Sequence, residues 1–328
     1  MLATVFPTGD LEKELTAAAA RMGDLRIMAA DLDREKPRLL DEVANMFGRF
    51  PELGAVNIAR ELIRPTPEGG RKGGLPEHVK AITLDDVLAH WKRYYKPRNA
   101  ILVVAGAVDE AAARQAITAH FAQLVPGEEV PKPGEPGSPQ AGTVRELAVK
   151  SLQPKSEPAA CLAYAAPEPG SELYAPFLVL VGRFWAASAQ PGGGSGAGRP
   201  SIHFPLLEDP AVLGVSATAN PGETAPLAIA RLESFVADTI AAQFRDDERV
   251  SARQMFAFFL GTAEITDFAL AQNPYGAALS LARREQLGID TVKLNRSLDT
   301  LTESDLRRAA SEIFAPARHA AAFISPEK

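Results

Sequence analysis

Residues Ile82 to Asp109 read ITLDDVLAHWKRYYKPRNAILVVAGAVD, which places a helix signal, a break and a strand signal in one continuous run. Thr83 is a good N-cap, so the pattern predicts a helix from Leu84 to Tyr95. Pro97 then interrupts the helical pattern, because proline removes a backbone donor. The apolar run Ala100 to Ala105 follows, and its β-branched centre between turn residues predicts a buried strand.

The same order of features recurs near the carboxyl end. Thr302-Glu-Ser-Asp305 repeats the cap Thr83-Leu-Asp-Asp86, and Phe314-Ala-Pro316 repeats Tyr95-Lys-Pro97. Each match lies 219 residues further along the chain (302 − 83 and 316 − 97), and the apolar run Ala320 to Ile324 follows. A constant offset between matched features predicts a duplicated domain.

A proline- and glycine-rich segment separates the two copies. Pro126 to Gly142 holds five prolines and four glycines in seventeen residues, a composition that supports neither helix nor central strand. We therefore predict a domain over residues 1–125, a linker over 126–142 and a second domain over 143–328. If the second copy begins near Thr143, the first should begin about 76 positions before Met1 (143 − 219), so the first domain is expected to be incomplete.

The order of elements predicts an α+β fold. Helices are expected over residues 33–47, 56–63, 172–187, 227–244, 251–270 and 274–287, and strands over 143–149, 159–164 and 211–219. Helices and strands interleave without the regular alternation of a doubly wound sheet. We expect two similar domains, each an antiparallel sheet covered by helices, with the first one incomplete.

Composition excludes several functions. The net charge of −6 is spread without a basic block, which argues against nucleic-acid binding. No run approaches the roughly 18 apolar residues of a membrane helix, and Met1 to Asp10 lacks the features of a signal peptide, so a soluble chain is expected and its compartment stays open. The single cysteine, Cys161, lies in an apolar run and is expected to be a buried, inert thiol.

Ile82 to Asp109 resembles the closing segment of a catalytic domain of the M16 zinc metallopeptidases, the family of insulinase and the mitochondrial processing peptidases. The shared features are a Thr-capped helix, a paired aromatic, a proline and a valine-rich strand ending in Gly-x-Val-Asp. The linker and the carboxyl-terminal repetition also fit a family built from two similar domains. The resemblance implies zinc-assisted hydrolysis of unfolded peptides or proteins.

Within the resemblance, the helix over residues 33–47 corresponds to one that carries Glu-x6-Glu. The two carboxylates here are Glu35 and Glu42, which share one helix face because seven residues are about two turns. The resemblance gives Glu42 the role of third zinc ligand and Glu35 that of an auxiliary carboxylate. Without it, a solvated acidic face is the ordinary interpretation.

The other zinc ligands of the family are missing. His-x-x-Glu-His supplies two imidazole ligands and the glutamate that activates water, yet none of the five histidines is followed by another four residues later. A catalytic zinc site needs about three protein ligands, so the chain alone is expected to bind no catalytic zinc. The sequence resembles an N-terminally truncated member, and whether it is an enzyme stays open.

A glycine-rich stretch, Pro191-Gly-Gly-Gly-Ser-Gly-Ala-Gly-Arg199, lies where active members carry an Arg and a Tyr that orient the substrate. No tyrosine follows at the expected distance. By resemblance to the non-catalytic processing peptidase subunit, Gly193, Gly194, Ser195 and Arg199 are candidate substrate contacts. A flexible surface turn is the alternative.

Two functions follow from the resemblance. The first is a peptidase-like protein that is inactive as an isolated chain. The second is a non-catalytic subunit or scaffold that holds peptides and forms a homo- or heterodimer with another M16 subunit, one that supplies His-x-x-Glu-His. Activity only in the presence of such a subunit would distinguish the two.

Overall fold

The computed structural model describes residues 2–65, 75–130, 138–150, 157–189, 198–204, 211–260 and 273–327, and of residues 246, 255 and 257–260 only the backbone. The described helices are α1 Leu11–Gly23, α2 Ala29–Gly48, α3 Pro51–Ile63, α4 Pro76–Ala81, α5 Leu84–Tyr94, α6 Glu110–Phe121, α7 Tyr174–Ala189, α8 Ala225–Ala241, α9 Asp246–Leu260, α10 Pro274–Leu287, α11 Thr291–Asp299 and α12 Glu303–Ile313. None of them is long and apolar enough to cross a membrane.

Five strands form one sheet in the order β1-β5-β2-β4-β3. Their bounds are β1 Val144–Val149, β2 Ala159–Ala165, β3 Ser201–His203, β4 Val212–Thr218 and β5 His319–Pro326. The α+β class is therefore confirmed. The expected antiparallel pairing holds for four strands, whereas β1 runs parallel to β5. Parallel neighbours need a long connection, and these two strands are joined by most of the second half of the chain.

The central strands are buried on both faces, so they are continuous apolar runs rather than alternating ones. On one face, residues of α7, α8 and α12 form the main core with Leu162, Leu213 and Phe323. On the other face, α3 supplies the buried helix residues, with Ile58, Ala59 and Leu62 against Cys161, Ala163 and Ala322. The buried, apolar setting predicted for Cys161 is confirmed.

Helix α3 joins the first part of the chain to the sheet of the second. It belongs to the predicted first domain, yet it seals the sheet built by residues 144–326. Gly54 permits the close approach, because a Cβ there would lie 2.7 Å from Ile324 Cδ1. The domain boundary at residues 126–142 stays a prediction, and residues 131–137 of that linker lie outside the described residues.

The prediction of a strand over Ala100 to Ala105 is wrong for the described structure. Residues 101–105 belong to no described helix or strand, and Ile101 and Leu102 are 48% and 44% exposed. Strand formation requires neighbours, and local propensity alone does not provide them.

Two helix starts also differ from the prediction. Helix α2 begins at Ala29 rather than near Asp33, because the Asp31 carboxylate accepts a hydrogen bond from Met28 N at 3.0 Å. Pro37 consequently lies inside the helix rather than in its first turn. Helix α3 begins at Pro51, five residues before the predicted start at Val56, with proline in the first helical position.

Candidate functional site

The two carboxylates predicted for the metal centre lie on α2 and are exposed. Glu35 accepts hydrogen bonds from Arg38 Nη1 at 3.0 and 3.1 Å, and Arg34 Nε lies 3.5 Å from it. These contacts are ion pairs along one helix surface, which contribute little when they are solvated.

The family's zinc does not fit the side chains that the structure describes. Among them, no group of three or more His, Cys, Asp or Glu side chains could hold a metal ion. Glu42 alone offers one donor where about three are needed. The roles of Glu42 as third ligand and of Glu35 as auxiliary carboxylate stay predictions, and no chemical step is derived through zinc.

Arg199, at the carboxyl end of the glycine-rich stretch, lines a cavity of about 420 Å³. Gly193, Gly194 and Ser195 lie outside the described residues, whereas Arg199 lines the cavity and donates from Nε to Ser188 O at 2.6 Å. The lining residues are Glu52, Ser188, Ala189, Arg199, Pro200, Ser201 and Thr218. The cavity thus presents one guanidinium, one carboxylate and several hydroxyl groups.

One wall of this cavity is fixed by Arg231 on α8. Its guanidinium forms an ion pair with Glu223 at 2.9 Å, and it donates to Gly198 O and to Thr218 O. Two segments of the wall are therefore tied to one partly buried side chain. This anchoring sets the position at which Arg199 leaves the glycine-rich stretch.

Behind the cavity, three polar side chains from different elements form a hydrogen-bonded cluster. Glu52 comes from the first turn of α3, His203 from β3 and Ser216 from β4. Ser216 Oγ donates to Glu52 Oε1 at 2.6 Å, and His203 Nε2 lies 2.8 Å from the same hydroxyl. His203 Nε2 is also 3.6 Å from Glu52 Oε1.

The cluster keeps Glu52 ionised. The His203 imidazole, together with the hydroxyls of Ser216 and Ser201, lowers the pKa of Glu52 below its ordinary value of 4.5, against the opposing effect of burial. A half-buried carboxylate that is paired in this way can stay charged at neutral pH.

The order of the three groups argues against nucleophilic catalysis. A nucleophilic serine passes its proton to the imidazole, which is then oriented by the acid. Here the serine lies between the other two. Its hydroxyl donates a hydrogen bond to the carboxylate, so it accepts a hydrogen bond from the imidazole. Ser216 is also fully buried. The cluster positions Glu52 and β3 rather than attacking a substrate.

Sequence analysis missed Glu52 and Ser216 and gave His203 no role. Glu52 and Ser216 lie 164 residues apart, so no local spacing relates them. The one available signal was a serine inside the otherwise apolar strand Val212–Thr218. A buried polar side chain requires a partner, but the identity of that partner depends on how α3 packs.

A family model described as the peptidase M16 inactive domain matches residues 81–191, from the start of α5 to the end of α7. The matched range includes the whole stretch Ile82 to Asp109 on which the resemblance was based. No curated protein matches the chain.

Several solved structures share the fold. A protease from Helicobacter pylori has 19% sequence identity and a TM-score of 0.73, with 97% of this chain and 78% of that chain covered. A peptidase M16 inactive domain from Pseudomonas fluorescens has 15% identity and a TM-score of 0.71, covering 97% and 75%. A ferredoxin protease in complex with Arabidopsis ferredoxin has 18% identity and a TM-score of 0.57, covering 97% and 37%. At these identities the likeness establishes the fold.

Proposed function

We propose that this chain is an M16-type protein that binds peptide segments and does not hydrolyse them on its own; the match of residues 81–191 to the M16 inactive-domain model and the shared fold support this. The cavity lined by Glu52 and Arg199 carries the proposal. A peptide offers a carbonyl or carboxylate to the guanidinium, and an amide or amine to the carboxylate. The ferredoxin protease complex supports a protein as the kind of ligand.

The sequence supports the absence of hydrolysis by the isolated chain. Metal-assisted hydrolysis in this family uses His-x-x-Glu-His, and His78, His90, His120, His203 and His319 include no pair with that spacing. The glutamate that would activate water is missing with them.

Peptide binding can be measured by titrating an unstructured peptide into the purified chain. We expect saturable binding, and Arg199→Ala should weaken it about tenfold, since a charge-assisted hydrogen bond contributes on the order of 1.5–3 kcal/mol. Arg26→Ala is the matched control, because Arg26 is an exposed arginine away from the cavity lining. Equal affinity of both variants would contradict binding in this cavity.

The lack of hydrolysis is tested on the same sample by elemental zinc analysis and by peptide cleavage assays. We expect no stoichiometric zinc and no turnover. Cleavage that a chelator abolishes and zinc restores would contradict the proposal.

A second candidate function keeps the chemistry of the family. The Glu-x6-Glu pair on α2 is accessible, which suits a chain that contributes Glu42 to a zinc centre completed by a His-x-x-Glu-His subunit. Zinc content and turnover should then appear only when an M16 subunit carrying that motif is added. Glu42→Gln should lower both, whereas Asp41→Asn on the same helix should not. Unchanged zinc in the Glu42→Gln mixture would exclude this candidate.

A further inference from the structure

The cavity contains two opposite charges that do not neutralise each other. Glu52 and Arg199 both line it, yet they form no ion pair with one another. In the part of the chain that the structure describes, Arg199 pairs with no carboxylate, and the one basic group paired with Glu52 is the His203 imidazole at 3.6 Å. An unpaired charge in a partly enclosed site favours a ligand group of the opposite sign. The cavity is therefore suited to a ligand that carries one cation and one anion.

Hydrogen bonds to the protein hold both charged side chains in place. Arg199 Nε donates to Ser188 O at 2.6 Å, and Glu52 Oε1 accepts from Ser216 Oγ at 2.6 Å. Neither terminal nitrogen of the Arg199 guanidinium bonds to a described residue. Two parallel N–H groups match the two oxygens of a carboxylate better than the single oxygen of a carbonyl. The anion of the ligand is accordingly expected to be a carboxylate.

Glu52 is the more enclosed of the two charges. Its side chain is 27% exposed, whereas Arg199 is exposed. A cation that reaches Glu52 must therefore enter further than the anion that meets Arg199. A lysine side chain can do this, because a four-carbon stem carries its compact ammonium group. A peptide amino terminus would take its own backbone groups into the cavity, where each of them would need a hydrogen-bond partner.

We propose that the cavity binds the carboxyl-terminal residue of a peptide that ends in lysine. The lysine ammonium group pairs with Glu52, and the terminal carboxylate pairs with the free end of the Arg199 guanidinium. This inference rests on the proposed peptide binding and narrows it to one class of peptide. A cavity of about 420 Å³ is at the lower end of the usual size of ligand sites and suits one residue rather than a long segment.

A terminal lysine suits the cavity better than an internal one. An internal lysine would offer Arg199 only a neutral backbone carbonyl, whereas a terminal lysine offers it a carboxylate. Hydrogen bonds between charged groups are roughly twice as strong as those between neutral groups. The chain also has a net charge of −6, which attracts any cationic peptide. A test must therefore compare peptides of equal charge.

Four unstructured, N-acetylated peptides test the inference on the purified full chain. The reference peptide ends in lysine with a free carboxylate. The second ends in lysine amide, the third ends in norleucine, which has the same stem without the ammonium group, and the fourth has the reference composition with its lysine moved to the interior. We expect the reference peptide to bind about tenfold more tightly than each of the others, because each of them loses one charge-assisted contact.

Two variants assign the two contacts. Glu52→Gln should remove the preference for lysine over norleucine and keep the preference for the acid over the amide. Arg199→Ala should have the opposite effect. Glu110→Gln and Arg26→Ala are the matched controls and should keep both preferences, because Glu110 and Arg26 are exposed and line no part of the cavity. The comparison of peptides on the unchanged chain does not depend on how well any variant folds.

The outcomes separate this inference from the proposed function. Equal affinity for all four peptides, lowered by Arg199→Ala, would overturn the preference for a terminal lysine and leave peptide binding in the cavity intact. Equal affinity for the reference peptide and the peptide with the internal lysine would also overturn it, since net charge would then account for binding. Preferences unchanged in Glu52→Gln and Arg199→Ala would place the lysine elsewhere on the chain. Failure of every peptide to bind would overturn both proposals.

Discussion

Ser216 and Glu52 illustrate how single side chains connect distant parts of this molecule. The serine is fully buried in β4, and the carboxylate that accepts its hydrogen bond lies at the start of α3. The imidazole of His203 completes the hydrogen bonding of the serine. A buried hydroxyl and a half-buried carboxylate are costly when unpaired, so each requires the other. The contact therefore fixes where α3 meets the sheet edge next to the cavity.

Removing the serine hydroxyl should destabilise the fold. We expect Ser216→Ala to lower the free energy of unfolding by about 1–3 kcal/mol at neutral pH, because Glu52 loses a donor in a half-buried setting. Chemical denaturation measures the change. Ser234→Ala is the control, since Ser234 is exposed on α8 and bonds only within its helix. A loss no larger than that of the control would contradict the role of the cluster.

Glu52 should also make stability depend on pH. Its pKa is lowered in the folded state, so its contribution is complete above the ordinary value of 4.5 and is lost as pH falls through the folded pKa. Glu52→Gln should therefore flatten the fall in stability below pH 4.5, as measured by thermal unfolding across pH. Parallel curves for the variant and the wild-type protein would show that the pKa is not lowered.

At the scale of elements, the two threonine-capped helices have the same N-terminal cap but differ in how much of each is buried. Both have a full capping box, in which the aspartate N–H donates to the threonine at 3.2 Å in α5 and 3.3 Å in α12. Only α12 is part of the main core. A cap stabilises its own helix. That stabilisation adds to the free energy of global unfolding only when the helix unfolds together with the core.

The two caps should therefore respond differently to the same substitution. We expect Thr302→Ala to lower the global free energy of unfolding by about 1 kcal/mol, the usual contribution of an N-cap. Thr83→Ala should leave global unfolding nearly unchanged and speed amide exchange within α5. Denaturant unfolding and hydrogen exchange on both variants measure this difference. Equal global losses would mean that α5 unfolds cooperatively with the core.

At the scale of the whole molecule, α3 determines that the sheet is covered on both faces. The first face is packed by several helices, whereas the second face depends on α3. Ile58 and Leu62 are fully buried there against the central strands. Helix α3 thus makes the main apolar contact across the predicted domain boundary in the described part of the chain.

Truncating a side chain of α3 at this contact should destabilise the whole fold. Ile58→Ala is expected to cost about 2–5 kcal/mol, the range for a large apolar side chain removed from a core. Ile101→Ala is the matched control in the isolated chain and should be nearly neutral, because Ile101 is 48% exposed. Calorimetry of both variants checks the comparison. A near-neutral Ile58→Ala would mean that α3 is not a required part of the core.

Much of the architecture followed from local chemistry. The threonine caps, the proline-ended helices and the apolar runs of β2 and β4 were predicted to within a few residues of their bounds. Helix Pro274–Leu287 was predicted with its observed limits, and in the structure Pro274 is its first residue while Gly288, in a left-handed conformation, follows its last. The α+β class and the resemblance to M16 peptidases followed from the order of these features.

Fewer residues of the candidate site could be predicted from the sequence. Arg199 was selected and does line the cavity, whereas Glu52 and Ser216 were not, since side chains 164 residues apart meet only after α3 has packed. The repeated segments show the limit most clearly. Sequence alone determined that a capped helix, a turn and an extended apolar run occur twice, because these depend on neighbouring residues. Only the tertiary structure decided that one run is the internal strand β5 and that the other pairs with no described strand, because a strand exists through hydrogen bonds to neighbours that its own sequence does not contain.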